Sequence, residues 1–183
     1  MIEVFAADEQ SAHPVDTLRW VRLARAVLGA EGVKGDAELS MLFVDEPTMA
    51  DLNRRFRGEE GPTDVLSFPI DGPSPASGPP DGPVGPRGFA GDRLGGDEDD
   101  DLDLDDEEDD DAPWLLGDVV LCPAYAAEHA RQAGQSLEAE LELLTVHGIL
   151  HLCGLDHAEP EDEQAMRART DELLDRWRER ERP

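Results

Sequence analysis

The stretch SLEAELELLTVHGILHLCGLDH, residues 136–157, decides how the chain folds, because it predicts a long helix through the core. Ser136 is a suitable N-cap, since its hydroxyl can accept a hydrogen bond from the first helical turn. Gly154 can end the helix in a left-handed conformation that a residue with a Cβ resists. Between these two residues, apolar side chains recur at helical spacing, at Leu137, Leu141, Leu144, Ile149 and Leu152. The rest of the chain is therefore expected to pack around this helix.

Three of the chain's five histidines lie at the end of this stretch, in HGILHLCGLDH at 147–157. His147 and His151 are four residues apart, so a helix places them one turn apart on the same face. The turn at Gly154 can then bring His157 back toward the same point. Three imidazoles with a fourth position left open are typical of a catalytic zinc site. The spacing therefore predicts one divalent metal ion, with Zn²⁺ the expected one, held by these three histidines.

The spacing also matches the zinc-peptidase pattern H-E-x-x-H-x-x-G-x-x-H, except at one position. Where a peptidase carries the glutamate that acts as general base, this chain has Gly148. Without that carboxylate the motif lacks the group that deprotonates the attacking water. The sequence therefore keeps the metal ligands of the motif and lacks its peptidase chemistry.

The histidine motif and two upstream segments together resemble the YbeY-type endoribonucleases. HGILHLCGLDH is similar to the family signature H-G-x-L-H-L-x-G-[YL]-D-H, and LNRRFRGEEGPTDVLSFP (52–69) and LLGDVVLC (115–122) are similar to two further motifs. The resemblance implies a metal-dependent, single-strand-specific endoribonuclease that acts in late maturation of the 16S ribosomal RNA 3′ end and in ribosome quality control. It also implies the partners, a single-stranded ribosomal RNA precursor and the ribosome or its small subunit, with no DNA and no membrane expected.

The resemblance assigns a role to Arg57, which stands where the family has an arginine. A guanidinium can hold two phosphate oxygens at once and stays charged, so Arg57 is the expected catalytic cation. The alternative is an exposed arginine that balances the dipole at a helix end. Arg54 and Arg55 precede it on the same predicted helix and are candidate RNA contacts, or ordinary solvated arginines. The chain has Glu59 and Glu60 where the family usually has a basic residue, which weakens the expected RNA-binding surface.

Other residues in the matching segments have open interpretations. Asp156 precedes the third histidine and can orient a ligand imidazole, or it can bond to the backbone of the turn. Asp64, Ser67 and Asp118 match the family motifs, although strand and turn structure explains them equally well. Cys153 faces a different side of the helix from the histidines and is expected in the core.

Periodicity and capping signals predict four short strands and about five helices around the central helix. The predicted strands are 2–7, 38–45, 63–70 and one beginning near Gly117, and the predicted helices are 17–30, 46–58, 123–133, 136–154 and 161–179. Because strands and helices do not strictly alternate, the pattern favours an α+β fold. The resemblance implies a small mixed sheet covered by helices, with the metal site on the core helix and the following turn. A single domain over 1–183 is expected.

One segment, residues 71–112, differs from the rest in composition. It is rich in Pro and Gly, then almost wholly acidic, with 16 acidic residues against Arg87 and Arg93, and it carries half of the formal net charge of −28. Few apolar side chains and many like charges predict a disordered insertion in the domain. It is either a solvated insertion or an intramolecular mimic of RNA phosphate that competes for the basic cleft. Since the remaining chain is also acidic, any attraction for RNA must be local.

Composition narrows the classes of protein to which the chain can belong. No segment approaches the ~20 apolar residues of a membrane helix, and MIEVFAADEQ has neither the basic start nor the apolar stretch of a secretory signal. The two cysteines do not indicate a disulfide framework, so a soluble cytoplasmic protein is expected. Besides the endoribonuclease, two functions stay open: a metal-dependent hydrolase of another substrate, and a non-enzymatic ribosome-associated module whose metal site only braces the fold.

Overall fold

The computed structural model describes residues 1–71, 113–155 and 160–182, so the insertion predicted at 71–112 lies outside it apart from Asp71. The elements follow in the order β1 (Ile2–Asp8), α1 (Thr17–Ala30), β2 (Ala37–Phe43), α2 (Glu46–Arg57), β3 (Val65–Pro69), β4 (Trp114–Leu121), α3 (Pro123–Ala133), α4 (Leu137–Leu152) and α5 (Pro160–Glu181). In the described ranges the predicted four strands and five helices are thus confirmed. The prediction was least accurate at β4, which begins at Trp114 rather than near Gly117, because Trp114 and Leu115 already pair with β2.

The strands form one sheet in the order β1-β2-β4-β3. β2 is parallel to both of its neighbours, β1 and β4, whereas β3 is antiparallel to β4. β2 is an inner strand of the sheet, and every other residue from Ala37 to Phe43 is buried. The predicted α+β fold with a four-stranded mixed sheet is therefore confirmed.

The two faces of the sheet have separate apolar cores. On one face, Val119 of β4 belongs to a large core with residues of α1, α4 and α5. On the other face, Val120 packs with Leu66 of β3 and Met49 of α2. Adjacent residues of a strand point to opposite faces, so α2 and α4 lie on opposite sides of the sheet.

The helix α4 is buried along most of its length, as its sequence predicts. Ser136 caps it by accepting a hydrogen bond from the amide of Ala139 at 3.1 Å. Gly154 follows its last turn with a φ of 89°, so the predicted glycine stop is confirmed. From residue 140 to residue 152, the side chains that are not fully buried are those at every fourth position, Leu143, His147 and His151. These three residues form one stripe along the helix, called here the histidine stripe.

Gly117 marks an irregularity in β4, where the pairing with β2 shifts by one residue. Its φ is 136°, and a Cβ built there would approach the carbonyl oxygen of Phe68 to 2.1 Å. Only glycine fits such a backbone contact without displacing β3. The glycine in the LLGDVVLC segment is thus required by the sheet.

Both cysteines are free and buried. Cys153 is 6% exposed, so its predicted place in the core is confirmed. Burial raises the pKa of Cys153 to about 12 and also raises the pKa of Cys122, so both thiols stay protonated near neutral pH.

None of the helices in the described ranges is long and apolar enough to cross a membrane.

Candidate functional site

His147 and His151 meet on the exposed stripe of α4. Their Nε2 atoms are 3.1 Å apart, and their ring centroids are 4.7 Å apart with the rings nearly perpendicular at 86°. Both side chains are half-buried. The predicted convergence of these two histidines is therefore present in the fold.

The distance between the two nitrogens suits a shared metal ion. A zinc ion binds histidine nitrogens at about 2.0–2.1 Å, so two ligands of a tetrahedral site lie roughly 3.3 Å apart. The 3.1 Å between the Nε2 atoms of His147 and His151 is close to this separation. The two imidazoles thus fit two of the ligand positions of a divalent cation.

The rest of the predicted ligand set is not covered by the structure. Among residues 1–71, 113–155 and 160–182, no group of three His, Cys, Asp or Glu side chains could hold a metal ion. His157, the predicted third ligand, and Asp156, the predicted orienting carboxylate, both lie outside these ranges. The three-histidine metal site therefore stays a prediction.

Gly148, between the two histidines, faces the sheet at very close range. A Cβ built on it would lie 2.9 Å from Cγ1 of Val119 and 3.0 Å from Oγ of Ser67. The Ser67 hydroxyl donates a hydrogen bond of 3.1 Å to the Gly148 carbonyl oxygen. The glutamate of the peptidase motif would thus point into the packed sheet, and the same contact binds the turn of α4 that carries the histidines to β3 and β4.

His147 opens onto a groove between α4 and α5. The groove has a volume of about 480 Å³ and combines an apolar floor with charged residues from α5. His147 is the only histidine among the described residues that line this groove. The groove is lined by Leu143, His147, Glu163, Met166, Arg167, Thr170 and Asp171.

The last turn of α2 is basic, but its charges are paired. Nη2 of Arg57 lies 3.4 Å from Oε1 of Glu59, one of the two acidic residues that depart from the family pattern. The carboxylate of Asp51 forms ion pairs with the other two arginines of this turn, Arg54 and Arg55. The described ion pair of Arg57 is therefore a local one, with Glu59 just beyond the end of α2. The three arginines of this turn are Arg54, Arg55 and Arg57.

Asp64 has local hydrogen bonds that explain it as a turn residue. Its Oδ1 accepts hydrogen bonds from the Val65 amide at 2.8 Å and from the Thr63 hydroxyl at 3.1 Å. Its Oδ2 lies 3.8 Å from Nδ1 of His129, whose side chain is 42% exposed. Asp118 is half-buried in β4 opposite Phe68. Turn structure at Asp64 and strand structure at Asp118 are thus enough to explain these two aspartates.

Sequence reasoning missed the contribution of α5 to the groove beside His147. Glu163 and Arg167 form an ion pair of 2.6 Å at its edge, one turn apart on α5. Many charged residues occupy this helix, so its sequence alone does not indicate which of them face a groove. Which of these residues face the groove depends on how α5 packs against α4.

The fold and the site together define a class: an α+β protein whose core helix carries two converging imidazoles, one of which lines an open groove. The same fold occurs in the solution structure of a protein from Thermotoga maritima, with a TM-score of 0.51 and 23% sequence identity. That similarity covers 99% of this chain and 94% of the other.

A sequence model of the family described as Endoribonuclease YbeY matches residues 5–178. Relatives named Endoribonuclease YbeY include one from Frankia alni, 46% identical, covering 95% of this chain and 82% of the relative. The relative from Acidothermus cellulolyticus is 48% identical, covering 92% of this chain and 88% of the relative. For Mycobacterium marinum the identity is 42%, with coverage of 92% and 79%. This chain belongs to the YbeY endoribonuclease family, and the predicted resemblance is confirmed.

Proposed function

We propose that this chain is a metal-dependent endoribonuclease that cleaves single-stranded RNA at the histidine stripe of α4. The observation that carries the proposal is the 3.1 Å approach of the His147 and His151 nitrogens, in a chain of this family. Between residues 140 and 152 this core helix exposes only the stripe, and His147 of the stripe lines the groove beside α5.

In this proposal His147, His151 and His157 hold one divalent ion, for which Zn²⁺ is the first candidate. Such an ion supplies Lewis-acid polarisation of a phosphoryl oxygen. The chain supplies placement, because Gly148 packs directly on β3 and β4 and its carbonyl is held by Ser67. Ligands on a helical turn that cannot shift against the sheet need little reorganisation during the reaction.

Arg57 is the proposed cation for the charge that develops on the phosphoryl oxygens. It pairs with Glu59 in the structure, but the two side chains are 51% and 57% exposed. An exposed ion pair of this kind contributes about 0–1 kcal/mol. A contact with charge in a transition state is worth on the order of 3 kcal/mol. Exchange of Glu59 for a phosphoryl oxygen is therefore favourable in the transition state.

The proposed substrate is a single-stranded ribosomal RNA precursor, cleaved near the 16S 3′ end in the cytoplasm, on the ribosome or its small subunit. Arg54 and Arg55 are proposed to contact the RNA backbone by exchanging Asp51 for phosphate groups. The formal net charge of −28 opposes a general attraction for RNA. Affinity must therefore come from local contacts of this kind.

The test is to incubate metal-replete protein with single-stranded RNA, double-stranded RNA and single-stranded DNA, and to measure the metal content of the same samples. Single-stranded RNA should be cut selectively, and His151→Ala should lose metal and cleavage together. A peptide library treated in parallel should stay intact, because Gly148 replaces the peptidase base. Wild-type protein that holds metal and cleaves none of these substrates would overturn the proposal in favour of a ribosome-associated binding module.

A further inference from the structure

A second groove lies on the other flank of α5, between α5 and α1. It has a volume of about 280 Å³, and its apolar wall includes Ala26 of α1 and Leu173 and Trp177 of α5. No carboxylate side chain is among the described residues that line it. Three arginines do line it: Arg25 from α1, and Arg176 and Arg180 from α5.

Two of the three arginines that line this groove, Arg25 and Arg180, have no ion pair in the described part of the chain. Within the described ranges, the arginines without an ion pair are Arg25, Arg180 and Arg182. Arg176 shares the exposed carboxylate of Glu172. The chain has 44 acidic and 16 basic residues, so most arginines have a carboxylate within reach. Unpaired guanidinium groups at one groove create a local positive potential on an otherwise acidic protein.

Gly29 is one of the residues that line this groove. It lies inside the last turns of α1, where glycine costs roughly 1 kcal/mol relative to alanine. No left-handed backbone requires a glycine here, and a Cβ built on it would meet nothing within 4 Å. Neither packing nor backbone conformation therefore explains this glycine, whereas a ligand that approaches α1 closely would.

We propose that the groove between α1 and α5 binds the phosphate backbone of the RNA substrate outside the cleavage site. This inference rests on the proposed function, because RNA is the ligand it assumes. Guanidinium groups bind phosphate oxygens in pairs, and three of them around one groove can hold consecutive phosphates. Met166 lines the groove of His147 and Trp177 lines this one, about 16 Å apart along the axis of α5 at the rise of an α-helix. An RNA strand a few nucleotides long can span that distance.

The experiment compares RNA binding by variants of the full chain that remove equal charge. The groove variant carries Arg25→Gln, Arg176→Gln and Arg180→Gln. The matched control carries Arg22→Gln, Lys34→Gln and Arg131→Gln, three exposed basic residues that do not line the groove. A third variant, Gly29→Leu, fills the groove without changing charge. Fluorescence anisotropy with a labelled single-stranded RNA is measured over a range of salt concentrations, and thermal unfolding confirms that each variant is folded.

The groove variant should lose affinity at low salt on the order of tenfold or more, and its slope of log K against log salt should fall by about 2, since each phosphate contact on a single strand contributes roughly 0.7. The matched control should change much less. Gly29→Leu should bind RNA more weakly while unfolding at the same or a higher temperature. Replacing the three arginines by lysine should keep most of the salt dependence.

Equal losses in the groove variant and the matched control would overturn the inference, because they would show only an effect of net charge. Tighter RNA binding by the groove variant would also overturn it. Cleavage assays on the same samples separate the two proposals. If wild-type protein cleaves RNA and the groove variant binds it normally, only this inference fails; if wild-type protein binds RNA through the groove and never cleaves it, only the proposed activity fails.

Discussion

Glu142 and the histidine pair lie little more than one turn apart on α4, yet their surroundings differ. The side chain of Glu142 is 5% exposed and accepts hydrogen bonds from Arg19 at 2.6 Å and Arg178 at 3.0 Å. The indole of Trp177 donates a third at 3.2 Å. This carboxylate joins α1, α4 and α5, and three donors leave it little capacity for a ligand.

His147 and His151 are half-buried and lie close enough together to share an ion, and His147 lines a groove of about 480 Å³. An imidazole at the edge of a groove can exchange its partners, whereas an enclosed carboxylate cannot. We therefore assign the Glu142 cluster to the stability of the fold and the histidine stripe to the proposed chemistry. Variants of each region should affect one property and leave the other unchanged.

The largest effect is expected from the double variant His147→Ala, His151→Ala. Its metal content should fall from about one ion per chain to almost none, because two ligands of the proposed site are removed. The rate of RNA cleavage should fall on the order of a thousandfold, because several kcal/mol of transition-state stabilisation are lost. Elemental analysis and cleavage rates check this, and denaturation with urea should show a folded protein. Equal metal content in the variant and the wild type would contradict the assignment.

Glu142→Ala should change stability and not metal binding. Removing the buried carboxylate takes away the ion-pair partner of Arg178, one of the three carboxylates around Arg19 and the acceptor of the Trp177 indole, and the expected loss is about 3 kcal/mol. The matched control is Glu138→Ala, which removes the 59% exposed carboxylate that also pairs with Arg19, and it should cost about 0.5 kcal/mol or less. Urea unfolding measures both. Loss of metal from folded Glu142→Ala would break the distinction between the two regions.

Arg57→Ala should lower kcat roughly a hundredfold, since its proposed partner is charge that grows in the transition state. RNA affinity should change far less, and Arg57→Lys should recover only part of the rate because an ammonium lacks the paired contact. Glu59→Ala should raise RNA affinity slightly, because the competing carboxylate is gone. Steady-state kinetics with Arg131→Ala as the control decide this, and unchanged turnover in Arg57→Ala would remove the residue from the mechanism.

The smallest effect is expected for Gly148→Ala. Its added methyl group is forced against Val119 and Ser67, and overpacking costs about 1–3 kcal/mol, partly offset by about 1 kcal/mol of helix propensity. A net loss of about 1 kcal/mol should appear in urea unfolding. Gly29→Ala, with open space at its Cβ position, should instead stabilise the protein. Gly148→Glu should gain no peptidase activity, since its carboxylate points into the sheet.

Much of the fold follows from local pattern. Ser136 as N-cap, Gly154 as the stop and the apolar spacing of α4 are all readable in the sequence, because each depends on residues within a few turns. The start of β4 was misplaced because the residues before Gly117 pair across an irregularity that only β2 defines. The convergence of His147 and His151 was predictable from helical geometry, whereas His157 lies outside the described residues.

Periodicity, capping and motif spacing are local properties of the chain, so they were enough to predict the types of element, the histidine pair and the family. Long-range packing, in contrast, encloses Glu142 with residues of α1 and α5. The groove that is lined by both Arg25 and Arg180 also depends on this packing. These contacts join residues far apart in the chain, and they exist because burying the apolar faces of the helices on one sheet brings those residues together.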